Sequence, residues 1–172
     1  MQSSLRIAHL LRHLKQVDGR KKLQKLVHTL QELGYPFDEY FEYSFYGMYS
    51  KQLRDELDAL VSSKLVTEHE NRHSFGSTFS FEATPQLDEL LSDLGTATPP
   101  EWAATAESLN ELSAQELEGI STILFLRRRG FEGAALRDRL IALKPHLRDV
   151  VEHCEQKAEQ LLQERGCCVT TA

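Results

Sequence analysis

A chain of 172 residues, 41% hydrophobic and 27% charged, has the mix of a soluble globular protein, with room for one ordinary domain or a small domain carrying a helical appendage. Its 20 Lys and Arg against 26 Asp and Glu give a formal charge of −6, which does not mark an obvious nucleic-acid binder. No apolar run approaches the roughly 18 residues that a membrane span needs, and Arg6, His9, Arg12, His13 and Lys15 interrupt the amino end too often for a secretory signal.

The charge is unevenly spread. Residues 1–25 hold seven basic side chains and one acid, whereas residues 32–70 hold nine acids and three bases. The first helix is predicted from about Ser4 to Gln16, with Ser3 or Ser4 as cap and Ile7, Leu10, Leu11 and Leu14 as its buried stripe. A second helix begins near Arg20, carries Leu23, Leu26, Val27, Leu30 and Leu33 at helical spacing, and ends at Gly34 before Pro36. Lys21, Lys22 and Lys25 fall off that stripe and are expected to face solvent.

Alternation of Phe41, Tyr43 and Phe45 with Glu42 and Ser44 predicts a short half-buried strand ended by Gly47. Ser50 is expected to cap a third helix striped by Leu53, Leu57, Leu60 and Val61, with Lys51–Asp55 and Arg54–Asp58 as i,i+4 ion pairs. Leu65–Thr67 and Thr78–Phe81 read as the arms of a β-hairpin.

That hairpin contains HENRH, His69–His73, which fits the H-E-x-x-H zinc-protease signature letter for letter. The chemistry requires a helix, which puts both histidines on one face within reach of one ion. The segment has no apolar stripe, follows Val66–Thr67, and runs into Ser74, Gly76 and Ser77, so a polar hairpin tip is the expectation. On a strand the two histidines would be about 13 Å apart. His9 and His13 form a second i,i+4 pair, on a helix but without a carboxylate at matching spacing.

Thr84 and Pro85 open a short helix ending at Gly95, and Thr96–Trp102, with Pro99 and Pro100, is the candidate linker. Beyond it the pattern is helical. Ser113–Glu116 is a capping box for a helix striped by Leu117, Ile120, Ile123 and Leu124, whose last turn holds Arg127, Arg128 and Arg129 before Gly130. Pro145 is expected to begin the last helix, with Leu147, Val150, Val151, Cys154, Ala158, Leu161 and Leu162 packing within the domain or against a second copy, and with residues 166–172 as a frayed tail. Cys154 is a small core residue on that stripe, and the adjacent Cys167 and Cys168 cannot staple a distant loop, which suits a reducing, cytoplasmic location.

No Gly-rich phosphate loop, nucleophile elbow or cysteine-pair zinc spacing stands in the sequence, so a protein that is not an enzyme, with no metal and no cofactor, is expected. The stretch Lys22-Leu23-Gln24-Lys25, followed by Phe45, Tyr46, Gly47, Tyr49 and Ser50 and then by a leucine-striped helix, resembles the YwgA-like family of uncharacterised bacterial proteins and, more distantly, the Panacea antitoxin-like domain. Met48 stands where the family pattern has proline. The later ELEGISTILFLRRRG and LKPHL stretches also look like the family's carboxy-terminal half.

The resemblance implies an α+β, mainly helical protein: a winged-helix-like half at 1–95 with a short hairpin, then a helical region at 96–172, the two in one compact unit or apart. It also implies a transcriptional regulator, for which Arg12, Lys15, Arg20, Lys21, Lys22, Lys25, Lys51 and Arg54 are the candidate DNA contacts. Against that, the third helix sets Asp55, Glu56 and Asp58 beside its two cations, and some fifteen residues separate the second and third helices where a helix-turn-helix has three or four. The alternative is an antitoxin-like or adaptor module that binds a protein through Tyr46, Tyr49, Arg127, Arg128 and Arg129, with a homodimer through the carboxy-terminal helices as a further expected assembly.

Overall fold

The computed structural model describes residues 2–44, 47–74, 76–94 and 100–169. Helix α1 (Gln2–Leu14) leads through the two-residue strand β1 (Gln16–Val17) into α2 (Arg20–Glu32). Strands β2 (Glu42–Ser44) and β3 (Gly47–Tyr49) follow, then α3 (Lys51–Ser62), β4 (Val66–His73) and β5 (Gly76–Ala83). The remainder is α4 (Pro85–Asp93), α5 (Ala103–Glu111), α6 (Ala114–Arg128), α7 (Gly133–Leu143), a 3₁₀ turn at Pro145–Val150 and α8 (Val151–Val169). The protein is α+β and mainly helical. Its sheets are antiparallel, β1-β5-β4 and β2-β3.

Local signals set three of the helix starts among the described residues. Ser50 Oγ accepts from Leu53 N, Thr84 Oγ1 accepts from Leu87 N ahead of Pro85, and Ser113 with Glu116 completes a reciprocal capping box. One hydrophobic core draws on both halves of the chain, from Ile7 on α1 to Leu161 on α8. Helix α2 lies at its centre, against α5, α6 and β3, and every residue from Lys22 to Leu30 is buried.

Two glutamines one heptad apart on α2 tether the irregular chain that follows. Gln24 accepts from Ser50 N and donates to Ser50 O, both at 2.8 Å, while Gln31 does the same to the backbone of Glu39 at 2.8 and 3.0 Å. Each side-chain amide thus satisfies a backbone donor and acceptor that would otherwise lie paired with nothing in the core. Gln24 in this way holds the amino end of α3 against α2.

Several expectations are corrected. Lys22 and Lys25 do not face solvent, because α5, α6 and β3 cover the side of α2 opposite its leucine stripe. The aromatic stretch is not a single strand: Gly47 at φ 80 starts the return arm β3 of a two-stranded ribbon. Asp58 pairs with Arg20, and Arg54 with its neighbour Asp55 at 2.7 Å, while Lys51 reaches Asp55 at 3.9 Å. Pro145 opens a 3₁₀ turn ahead of the last helix, and that helix extends through Val169 where a frayed tail was expected. The segment His69–His73 is strand, so the helical geometry that zinc chemistry requires is absent; His69 Nε2 pairs with Glu82 at 3.1 Å. Among the described residues no helix is long and apolar enough to cross a membrane.

Candidate functional site

Helices α2 and α3 diverge around a groove of about 320 Å³. Leu23, Leu53 and Leu57 form its floor, and the carbon stems of Arg20, Lys21 and Lys25 line its α2 side. Tyr49 and Arg54 stand on the α3 side, the phenol hydrogen-bonding the guanidinium. The lining is almost wholly carbon, with charged heads at the rim. Gln24, clipped to Ser50, sets the spacing of the two walls.

Beside the α2 wall lies a buried charge cluster. Glu118 of α6, 2% exposed, receives Lys144 Nζ at 2.9 Å, Lys21 Nζ at 3.2 Å and His146 Nε2 at 3.2 Å. Burial by itself would raise the Glu118 carboxyl, but hydrogen bonds from Lys144 and His146 and the charges of Lys144 and Lys21 bring it down to about 2. Lys25, also 2% exposed, donates to Met48 O, and burial pushes its ammonium down to about 8 in spite of Glu118, with Lys144 and Lys21 adding to the fall. The two ammoniums of Lys25 and Lys144 approach Gly47 so closely that a Cβ there would meet them at 3.3 and 3.5 Å. One turn further along α2, His28 meets the Ser121 hydroxyl at 2.8 Å and the edge of Phe41, and its burial, with Lys25 and Arg128 adding, takes it down to about 3. That imidazole is neutral at physiological pH.

The eight candidate phosphate contacts divide between this groove and distant places, and each is held by a partner within the chain. Arg12 meets Asp88 at 3.1 Å and the Ser92 hydroxyl at 2.9 Å, and Lys15 lies 3.5 Å from Asp88. Arg20 clamps Glu68 through two nitrogens, reaches Asp58 at 2.6 Å, and lies over the Phe81 ring. Lys22 donates to Asn110 O on α5. With Lys21 on Glu118, Lys25 on Met48 O, and Lys51 and Arg54 on Asp55, the basic amino end is largely tied into the fold.

Of the candidate partner contacts, Tyr49 lies at the groove and Tyr46 lies outside the described residues. The three arginines are elsewhere: Arg127 pairs with Glu159 at 2.7 Å, Arg128 with Glu32 at 2.9 Å, and Arg129 stacks on the Phe125 ring. Arg127 joins α6 to α8 and Arg128 joins it to α2, while Arg129 stays on its own helix, which is why the three do not converge on one surface. The apolar stripe of α8 is likewise used inside, since Val151, Cys154, Ala158 and Leu161 are buried. The floor leucines were legible as core stripes in the sequence. Glu118 and Lys144 carried no such signal, because Lys21 lies 97 residues before Glu118 and Lys144 lies 26 after it, in another element.

No protein-family model matches the chain. It is similar to a protein of Bacillus subtilis (strain 168) named "Uncharacterized protein YwgA", at 24% identity over 154 residues that cover 89% of this chain and 90% of that protein. The similarity supports the YwgA-like resemblance carried by Lys22–Lys25 and the Gly47–Ser50 turn.

Proposed function

We propose that this protein works by binding and not by catalysis, as a protein-interaction module that docks a partner in the groove between α2 and α3. The supporting observation is the pairing of a carbon-lined groove with a basic amino end whose cations are already engaged. A surface that grips DNA needs several Lys and Arg free to replace counterions on phosphates. Here such contacts would first have to break Arg20–Glu68 and Arg12–Asp88, and Lys22 and Lys25 are buried. An apolar groove with a polar rim is instead what a partner side chain fills. Tyr49 belongs to the docking point in this scheme; Arg127 and Arg128 hold helices together, and Arg129 packs on Phe125 of its own helix. An antitoxin-like or adaptor role in the cytoplasm suits such a module.

Site-specific photocrosslinking tests it. Benzoylphenylalanine in place of Tyr49, compared with the same probe at the exposed Gln160 of α8, is expected to give a discrete protein adduct in the native host from position 49 alone. Equal labelling from both positions, or none from position 49, overturns the module.

A DNA-binding regulator is the second function to be weighed, because the order α2, α3 and the exposed β4-β5 hairpin is compatible with a winged-helix layout in which the hairpin is the wing. Fluorescence anisotropy with a random-sequence duplex decides between the two. The expected result is no binding even at low salt; micromolar affinity that falls steeply with salt would restore the regulator.

A further inference from the structure

The chemistry of the occupant follows from the charges around the groove. Three ammoniums, those of Lys21, Lys25 and Lys144, stand on or behind the α2 wall, and Lys51 and Arg54 stand on the α3 side. The carboxylates that reach them are Glu118 and Asp55, and the buried Glu39, whose carboxylate accepts from Ser50 Oγ, lies at the head of α3. Arg20 also stands on the α2 wall, with the two carboxylates of Asp58 and Glu68. Six cations therefore face five acids around a floor of leucines.

Two of these cations can turn to a ligand without disrupting the core. Lys21 is 51% exposed at its side chain, and its Glu118 also has Lys144. Arg54 pairs with the next residue in sequence at the surface, an interaction that solvent screens. They stand on opposite walls, so they can hold charges on either side of a buried apolar group. Resting on the module proposed above, we infer that the groove takes a partner segment in which a large apolar side chain is flanked by carboxylates. The apolar group lies on Leu23, Leu53 and Leu57, and the carboxylates meet Lys21 and Arg54.

Three blocked peptides, Glu-Leu-Phe-Glu, Gln-Leu-Phe-Gln and Lys-Leu-Phe-Lys, provide the test, with the methyl resonances of Leu23, Leu53 and Leu57 followed by NMR. Two partly exposed ion pairs give the acidic peptide about a fivefold advantage over the glutamine peptide at low salt. The lysine peptide is expected to bind most weakly, and Arg54→Glu to remove most of the acidic preference. Lys21→Glu provides a second variant, and the dispersion of the methyl spectrum reports that each variant is folded. Equal binding of acidic and basic peptides, an order unchanged in both variants, or no methyl shift with any peptide at millimolar concentration overturns the inference. If crosslinking at position 49 succeeds while the acidic preference fails, the module stands and this occupant falls. If crosslinking fails as well, the groove is not a docking site.

Discussion

Helix α2 and the β4-β5 hairpin contrast in a way that composition does not foretell. The helix carries Lys22, Gln24, Lys25, His28 and Thr29 into full burial, while the hairpin, with eight residues in each arm, leaves Phe79 40% exposed. Helix α2 is buried from Lys22 to Leu30, so Lys22, Gln24 and Lys25 turn their polar ends to backbone groups of neighbouring segments. The hairpin has β1 beside it for only two residues, so its outer half meets solvent on both faces. Charge on α2 is consequently a property of the architecture, and the same residue types at the hairpin are nearly inert.

The sharpest way to break this contrast is Glu118→Gln. It leaves the ammoniums of Lys144 and Lys25 in the interior without their carboxylate, and is expected to cost about 3–5 kcal/mol in urea unfolding. The matching change at the hairpin, Glu70→Gln, removes an exposed carboxylate hydrogen-bonded by Ser77 and Arg72 and should leave the unfolding midpoint where it was. Equal losses at both sites would erase the distinction.

Packing behind the cluster gives the next effect. A Cβ on Gly119 would come within 2.5 Å of Cys154 Sγ, so Gly119→Ala should destabilise by about 1–3 kcal/mol. Adding Cys154→Ala makes room and should recover part of that loss. A second change that only adds to the first would show that the α6-α8 contact is not the cause.

The dependence on pH sharpens the comparison further. The Glu118 carboxyl falls from 4.5 to about 2 on folding, so its stabilisation is complete above about pH 4.5 and is lost as the pH drops toward 2. Lys25 works in the opposite sense. Its ammonium falls from 10.5 to about 8, so the fold bears the cost of burying it below about pH 8 and is progressively relieved of it between about 8 and 10.5. Stability should therefore rise with pH across that upper window, and Lys25→Met should flatten the rise. His28 ring protons should show no titration between pH 5 and 8.

Phe79→Ser is expected to have a small effect, about 0.5 kcal/mol or less, because the ring is 40% exposed. A large loss would mean that the hairpin is part of the cooperative core.

Much of the local structure was legible in the residues. Ser50, Thr84 and Ser113–Glu116 announced helix starts because a cap and the amide it satisfies lie within three residues of one another. The leucine stripes of α2 and α3 identified the floor of the groove in the same way. The two-stranded ribbon was only half visible, since its return arm is three residues long and Gly47 reads equally well as an end or a turn. The partner of Arg54 was misassigned for a related reason: spacing offered Asp58, but Arg20, from another helix, claims it.

Sequence by itself thus determined the class of the fold, the helices with their caps, and the apolar faces that must be covered, because these depend on neighbours three or four positions away. Tertiary structure alone decided that α2 is central and not a surface helix, that Lys22 and Lys25 are buried, that Glu118 gathers Lys21, Lys144 and His146, and that a groove opens beside them. Periodicity tells which face of a helix is apolar, but it does not tell how many partners will cover the other face; that number follows from long-range packing, and it separates a cation held by the fold from one free to bind.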